Sequence, residues 1–297
     1  MFDQIVIVDW SAANAPKKGK DSIWICRHGE TPINLATRSE AKLHLESLLS
    51  DAIGKSERTL VGFDFPFGYP AGFAKLLSLS GEPWRATWEL ISDLVKDSPK
   101  NGNNRFEVGA RLNRLVSGKQ FPFWGCPPKR AFDFLGPRHH RGHTDSESLK
   151  EHRLIDCWMT GAQPCWKLAY TGSVGSQVLT GIPVVWALRN NEHWRNHARI
   201  WPFETGLQPP KDAAIVFAEV WPSWWKWKET REMGEIADRA QVRHVAQVFA
   251  ERDRVGELDA WFAPPVPPDR IDDVLSEEAW TLGVVAPRPR RAKNAAA

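Results

Sequence analysis

Disulfide and cysteine-metal chemistry have little to work with in this sequence. Its four cysteines, Cys26, Cys126, Cys157 and Cys165, follow no C-x-x-C spacing and no regular interval. Reduced thiols, and with them a cytoplasmic protein, are the expectation. No apolar run approaches the roughly 20 residues of a membrane span, and the chain opens on a strand pattern without a signal segment, so no membrane partner is expected. A dominant charge is missing too. The 39 basic and 36 acidic residues leave a net charge of +3, which gives no bulk electrostatic case for nucleic-acid binding. Local basic clusters at Lys17, Lys18 and Lys20, at Arg138 and Arg141, and in the tail at Arg288, Arg290, Arg291 and Lys293 read as solvated loops. Tyrosine is scarce, with two residues against sixteen tryptophans. The tryptophans are expected to fill a core or a cleft wall, with stacking on nucleobases as the alternative.

Two catalytic signatures are also absent. Ser117-Gly118-Lys119-Gln120 lacks the earlier glycine and the following Ser/Thr of a phosphate-binding P-loop. No Gly-x-Ser-x-Gly stands between a strand and a helix, so Ser-His-Asp catalysis has no motif; Gly172-Ser173-Val174-Gly175 is a helix entry.

What is present is an ordered series of short elements. Ile5 to Val8 is a continuous apolar run that fits a strand buried on both faces, and Asp9 ends it. Ser11 to Lys20 reads as a turn, and Ser22–Cys26 and Ile33–Ala36 as two returning strands. Ser39 is placed to cap a helix carrying Ala41, Leu45, Leu48, Leu49, Ala52 and Ile53 at helical spacing, closed by Gly54. Thr59–Phe63 is the next buried strand, and Asp64 ends it. Residues 65 to 117 read as mainly helical. Residues 118 to 170 are rich in Pro, Gly, His and Trp without a sustained period and read as an irregular insertion. A helix is predicted over Val174–Leu188, with Gly181 and Pro183 able to break it. Strands are predicted at Ile200–Phe203 and Ala214–Val220 around a Gly206–Pro210 turn. A late helix carries Val242, Val245, Ala246 and Phe249, with Leu258, Trp261 and Phe262 continuing its apolar face. Trp280–Val285 reads as a short final strand, and disorder is expected after Pro287.

Three strands, a helix and a fourth strand are the opening of an RNase H-like α/β fold, in which the fourth strand lies parallel beside the first. The expectation is one such domain over residues 1–285, a mixed sheet flanked by helices with a Trp/Pro-rich insertion at 118–170, and a basic tail from 286. Asp9 and Asp64 then emerge at one sheet edge. Two carboxylates there repel each other, and a divalent cation with a taste for oxygen, Mg²⁺ or Mn²⁺, relieves them. The plainer reading has each Asp capping a neighbouring turn. Glu219, ending the run Ala214–Ala218, and Asp259, beside Leu258 and Trp261, are the candidates to complete the set, with Glu204 competing with Glu219. His139, His140 and His143 lack a partner at zinc-finger spacing. Arg105 and Glu107, near a helix start, are read as a surface pair rather than a phosphate site.

Val8-Asp9-Trp10-Ser11-Ala12-Ala13, Gly62-Phe63-Asp64-Phe65-Pro66-Phe67-Gly68, Ala218-Glu219-Val220-Trp221-Pro222-Ser223, Leu258-Asp259-Ala260 and Glu278-Ala279-Trp280-Thr281-Leu282-Gly283 follow one another in order. Together they resemble the uncharacterised family catalogued as domain of unknown function 429, regarded as predicted nucleases of RNase H-like fold. The resemblance spans residues 5 to 285. It implies that Asp9 is the first-strand acid, Asp64 the fourth-strand acid and Asp259 the late-helix acid, with Glu219 matching the Glu before a Pro-containing turn. The function it implies is a metal-dependent phosphodiester hydrolase acting on nucleic acid or a nucleotide. Two alternatives stay open: a non-catalytic binding protein on the same scaffold, and nucleotide-dependent phosphoryl transfer through the Asp9-x-Ser11 turn.

Overall fold

A computed structural model describes residues 1–130, 132–139 and 149–288. Its centre is a six-stranded sheet of β1 (Gln4–Asp9), β2 (Ile23–Arg27), β3 (Ile33–Leu35), β4 (Thr59–Phe63), β5 (Ala198–Ile200) and β6 (Ile215–Glu219). The spatial order is β3-β2-β1-β4-β6-β5. The first three strands form an antiparallel meander, and β4, β6 and β5 run parallel to β1. The chain is therefore α/β with a mixed sheet, and the helix α1 (Arg38–Gly54) makes the β3-to-β4 crossover.

Alternation along the strands divides the core into two layers, because successive side chains point to opposite faces. Val6, Val8, Val61, Phe63, Ile215 and Phe217 face one layer, packed under α1, α3 (Pro83–Leu94), α4 (Arg105–Ser117) and α6 (Val174–Arg189). The short helices α2 (Phe73–Leu76) and α5 (Leu154–Trp158) lie in the connections. Ile5, Ile7, Leu60, Val216 and Ala218 face the other layer, covered by α7 (Ala237–Arg254) and the short α8 (Leu258–Trp261). The two-sided burial explains why these strands read as unbroken apolar runs.

Several expected details differ. Thr37, not Ser39, caps α1, its Oγ1 accepting the Glu40 N–H at 3.1 Å. Gly181 and Pro183 do not break α6. Gly181 is the seat of the Phe65 ring, whose Cζ would lie 2.3 Å from any added Cβ. β5 and β6 pair in parallel, so residues 201–214 form a crossover rather than a hairpin. Trp280–Val285 is not a strand; it touches the sheet through the single bridge Glu219–Thr281. Ten tryptophans are buried, the other six are half-buried, and none is exposed, which assigns the tryptophan richness to packing. No helix among the described residues is long and apolar enough to cross a membrane.

Candidate active site

β1 and β4 are adjacent and parallel, with Val8 level with Phe63. The next residue on each strand is an aspartate, so Asp9 and Asp64 stand side by side at the carboxyl edge. The Asp64 N–H donates to the Val8 carbonyl at 3.1 Å, and the Trp10 N–H donates to Asp64 Oδ1 at 2.6 Å. The two carboxyls act on each other's titration. Burial pushes Asp9 well above the usual carboxylate range, and the Asp64 charge, the bond to Asp64 and the charges of Asp238 and Asp21 add to it. Burial likewise raises Asp64, to about 6, against the lowering effect of the Asp9 and Trp10 hydrogen bonds. The two carboxyls therefore titrate as a pair, both above the ordinary carboxylate range.

Asp9 opens onto a cleft of 610 Å³. Its walls include Trp10 and Ser11 from the first turn, Lys17, Lys20 and Asp21 from the following loop, Arg105 from α4, Tyr170–Ser173 before α6, and Asp238 from α7. That size suits a small-molecule or nucleotide ligand, for which clefts of roughly 300–1,000 Å³ are usual. Asp64 opens onto an adjoining cavity of 140 Å³, and Gln177 and Gln241 line both. The first turn is held rigidly. Arg38, itself buried, donates to the Ser11 and Ala13 carbonyls at 2.9 Å each, and Gln177 Nε2 donates to the Trp10 carbonyl at 2.6 Å. Ser11 Oγ donates to the Asp21 carbonyl at 3.2 Å and accepts the Ala13 N–H at 3.3 Å. Its hydroxyl is thus engaged inside its own turn.

The other two predicted acids lie elsewhere in the chemistry of this edge. Glu219 ends β6, level with Phe63, but its carboxylate is saturated. Oε1 accepts from Arg153 Nη2 at 2.8 Å and Thr281 Oγ1 at 2.6 Å; Oε2 accepts from Arg153 Nη1 at 2.7 Å and the Phe67 N–H at 2.9 Å. Four donors fill the roughly four acceptor directions of a carboxylate, leaving none for a cation. Arg153 is fully buried and also pairs with Asp156 at 2.8 Å. Glu219 is therefore a structural anion here, against the expectation that it completes a metal shell. Asp259 lies on α8, beyond the C-terminal end of α7. That end is tied to the start of β1 by Asp253, which accepts the Phe2 N–H at 2.8 Å and pairs with the Met1 amino group at 2.9 Å. Asp259 is not among the principal charges acting on Asp9 or Asp64, whereas Asp238 acts on both. Glu204 is held by Arg189 at 2.7 Å.

The late-helix acid at this edge is Asp238, in the first turn of α7. Its Oδ2 accepts the Asp21 N–H at 2.6 Å, and burial raises its own pKa. A lone acid ahead of an apolar pattern carries no distinguishing sequence signal, and Asp238 was missed for that reason. Arg153 was missed because it stands in an aperiodic stretch. Arg105 is not a surface partner of Glu107; it is buried, and Glu107 pairs with Arg130 at 4.0 Å. His139 pairs with Glu151 at 3.0 Å, while His140 and His143 lie outside the described residues, as does the tail from 289.

Asp9 and Asp64 are two hard oxygen donors with no basic side chain among the principal charges acting on them. Such a pair fits one oxygen-seeking divalent cation. Among the described residues no group of three or more His, Cys, Asp or Glu side chains is gathered as a ready ligand shell. No family model matches the chain, and no curated protein or solved structure does.

Proposed function

We propose that the chain is a divalent-metal-dependent phosphodiester hydrolase on an RNase H-like scaffold, a nuclease in the broad sense, with Asp9 and Asp64 as its metal-holding residues. The observation that carries this reading is the half-buried Asp9–Asp64 pair at adjacent strand ends, destabilised by its own charge and open to a cleft. The ordered motifs that resemble domain of unknown function 429 support it. Mg²⁺ or Mn²⁺ held there supplies a Lewis acid for a phosphoryl oxygen and lowers the pKa of a bound water.

The chain's own groups do the rest. Trp10 N–H donates to Asp64 Oδ1 at 2.6 Å and so helps hold that carboxyl in place beside Asp9. Asp9 and Asp64 would have to be deprotonated to hold a cation, and since both are raised, metal affinity should rise with pH. Asp238 adds negative potential from the helix start. Lys17 and Lys20 on the cleft rim favour an anionic substrate. The scaffold-only and Ser11 phosphoryl-transfer readings gain no comparable observation, since Ser11 Oγ is occupied within its turn.

Hydrolysis of bis(p-nitrophenyl) phosphate and of a single-stranded oligonucleotide, with Mn²⁺ or Mg²⁺ and with chelator, tests the proposal. Activity should require the metal and fall by on the order of a hundredfold in Asp9→Asn and in Asp64→Asn. Activity that survives both substitutions contradicts it.

A further inference from the structure

The cleft has two chemically different ends. Asp9, Asp21 and Asp238 gather at one, with Lys17 paired to Asp21 at 3.5 Å. The other is built by Arg105 and Tyr170, neither of which the hydrolytic reading uses.

Arg105 is only 9% exposed yet has no carboxylate partner among the described residues. Its Nε donates to Ser176 Oγ at 2.8 Å, and its Nη1 donates to Asn103 Oδ1 at 2.9 Å and to Asn14. These acceptors are neutral, and Nη2 has no hydrogen-bond acceptor among the described residues. Among the principal charges acting on the guanidinium, Glu107 and Asp97 are the acids, and neither is hydrogen-bonded to it. A buried cation without a counter-ion is costly, and an anion arriving from the cleft removes that cost. Burial, with Arg38 and Arg130, lowers the pKa to about 10, which still leaves the group charged at neutral pH.

Among the described residues Tyr170 is the one Phe, Tyr or Trp whose side chain is exposed, at 53%. Its backbone is left-handed at φ 72°, a conformation that a bulky residue adopts only at a cost. Its hydroxyl donates to the Cys126 carbonyl at 3.0 Å, so the displayed ring is tethered. All sixteen tryptophans, by contrast, are turned at least partly into the protein.

We infer that this end of the cleft is a nucleotide subsite, in which Arg105 takes a phosphate and the Tyr170 ring stacks on the attached base. The inference rests on reading the cleft as a phosphodiesterase site, and it names the substrate class as a short strand of nucleotides. The scissile phosphodiester lies at the Asp9–Asp64 end, and a neighbouring phosphate lies on Arg105. Stacking is tolerant of base identity, so little sequence preference is expected from this contact.

The test is calorimetric titration of the metal-free protein with inorganic phosphate and with AMP. Leaving out metal separates this subsite from the acid pair, whose failure appears only as lost cation binding. The natural protein should bind AMP more tightly than phosphate, with phosphate competing against AMP. Tyr170→Ala should weaken AMP about fivefold or more and leave phosphate unchanged. Arg105→Gln should weaken both about tenfold or more. Arg105→Lys keeps the buried charge if the Gln variant does not fold, and should weaken both by less. The inference is overturned if the natural protein binds no AMP, if phosphate and AMP bind without competing, or if Tyr170→Ala leaves AMP affinity unchanged.

Discussion

Asp64 and Glu219 end neighbouring parallel strands at the same sheet edge, one residue out of step, yet their surroundings are opposite. Glu219 meets a buried guanidinium, a hydroxyl and a backbone N–H, and its charge is balanced within the protein. Asp64 meets another carboxyl. The first arrangement is what stability requires of a buried acid; the second is one that folding alone would remove. Position at a strand end therefore does not make an acid functional. What separates the two acids is the counter-charge that Arg153 brings to Glu219 and not to Asp64.

Breaking the balanced half gives the largest effect. Arg153→Met leaves Glu219 and Asp156 buried without their cation, and unfolding by denaturant should show a loss of about 3–5 kcal/mol. The unbalanced half should respond in the opposite sense. Asp9→Asn removes the repulsion and keeps a donor to Asp64, so the metal-free variant should melt about 2–4 °C higher than the natural protein at pH 8. A lower melting temperature would mean that the pair is structural.

pH sharpens the same contrast. Asp64 is raised from an ordinary 3.8 to about 6 in the folded state. Between those values the native form holds more protons than the unfolded chain, so metal-free stability falls as pH climbs through that window. Asp9, raised further, extends the fall upward. Melting curves from pH 4 to 8 should show this decline, and Mn²⁺ should restore stability at the upper end. Asp238→Asn is a smaller step, weakening cation affinity about threefold through its longer-range charge. Asp259→Asn should change neither metal binding nor stability beyond about 0.5 kcal/mol.

The sheet was legible because its strands are short apolar runs closed by acids. Ile5–Val8 and Thr59–Phe63 could be matched to β1 and β4, and the intervening α1 made them parallel neighbours. That placed Asp9 beside Asp64. What followed was less legible, for physical reasons. The pairing of Glu219 with Arg153 is a contact across 66 residues of sequence through an aperiodic stretch, and no local pattern announces it. Asp259 and Asp238 are both acids beside late-helix turns, and the direction in which α7 crosses the sheet decides between them. Arg105 read as a surface residue because two of its neutral anchors, Asn14 and Ser176, come from distant segments of the chain.

Titration of Mn²⁺ by calorimetry into the natural protein, Asp9→Asn and Glu219→Gln, with folding of each confirmed by circular dichroism, tests the central contrast most directly. Binding to the natural protein that is lost in Asp9→Asn but kept in the folded Glu219→Gln variant is the predicted result. Binding that survives Asp9→Asn, or that disappears with Glu219 instead, would contradict the assignment of the unbalanced pair as the metal site.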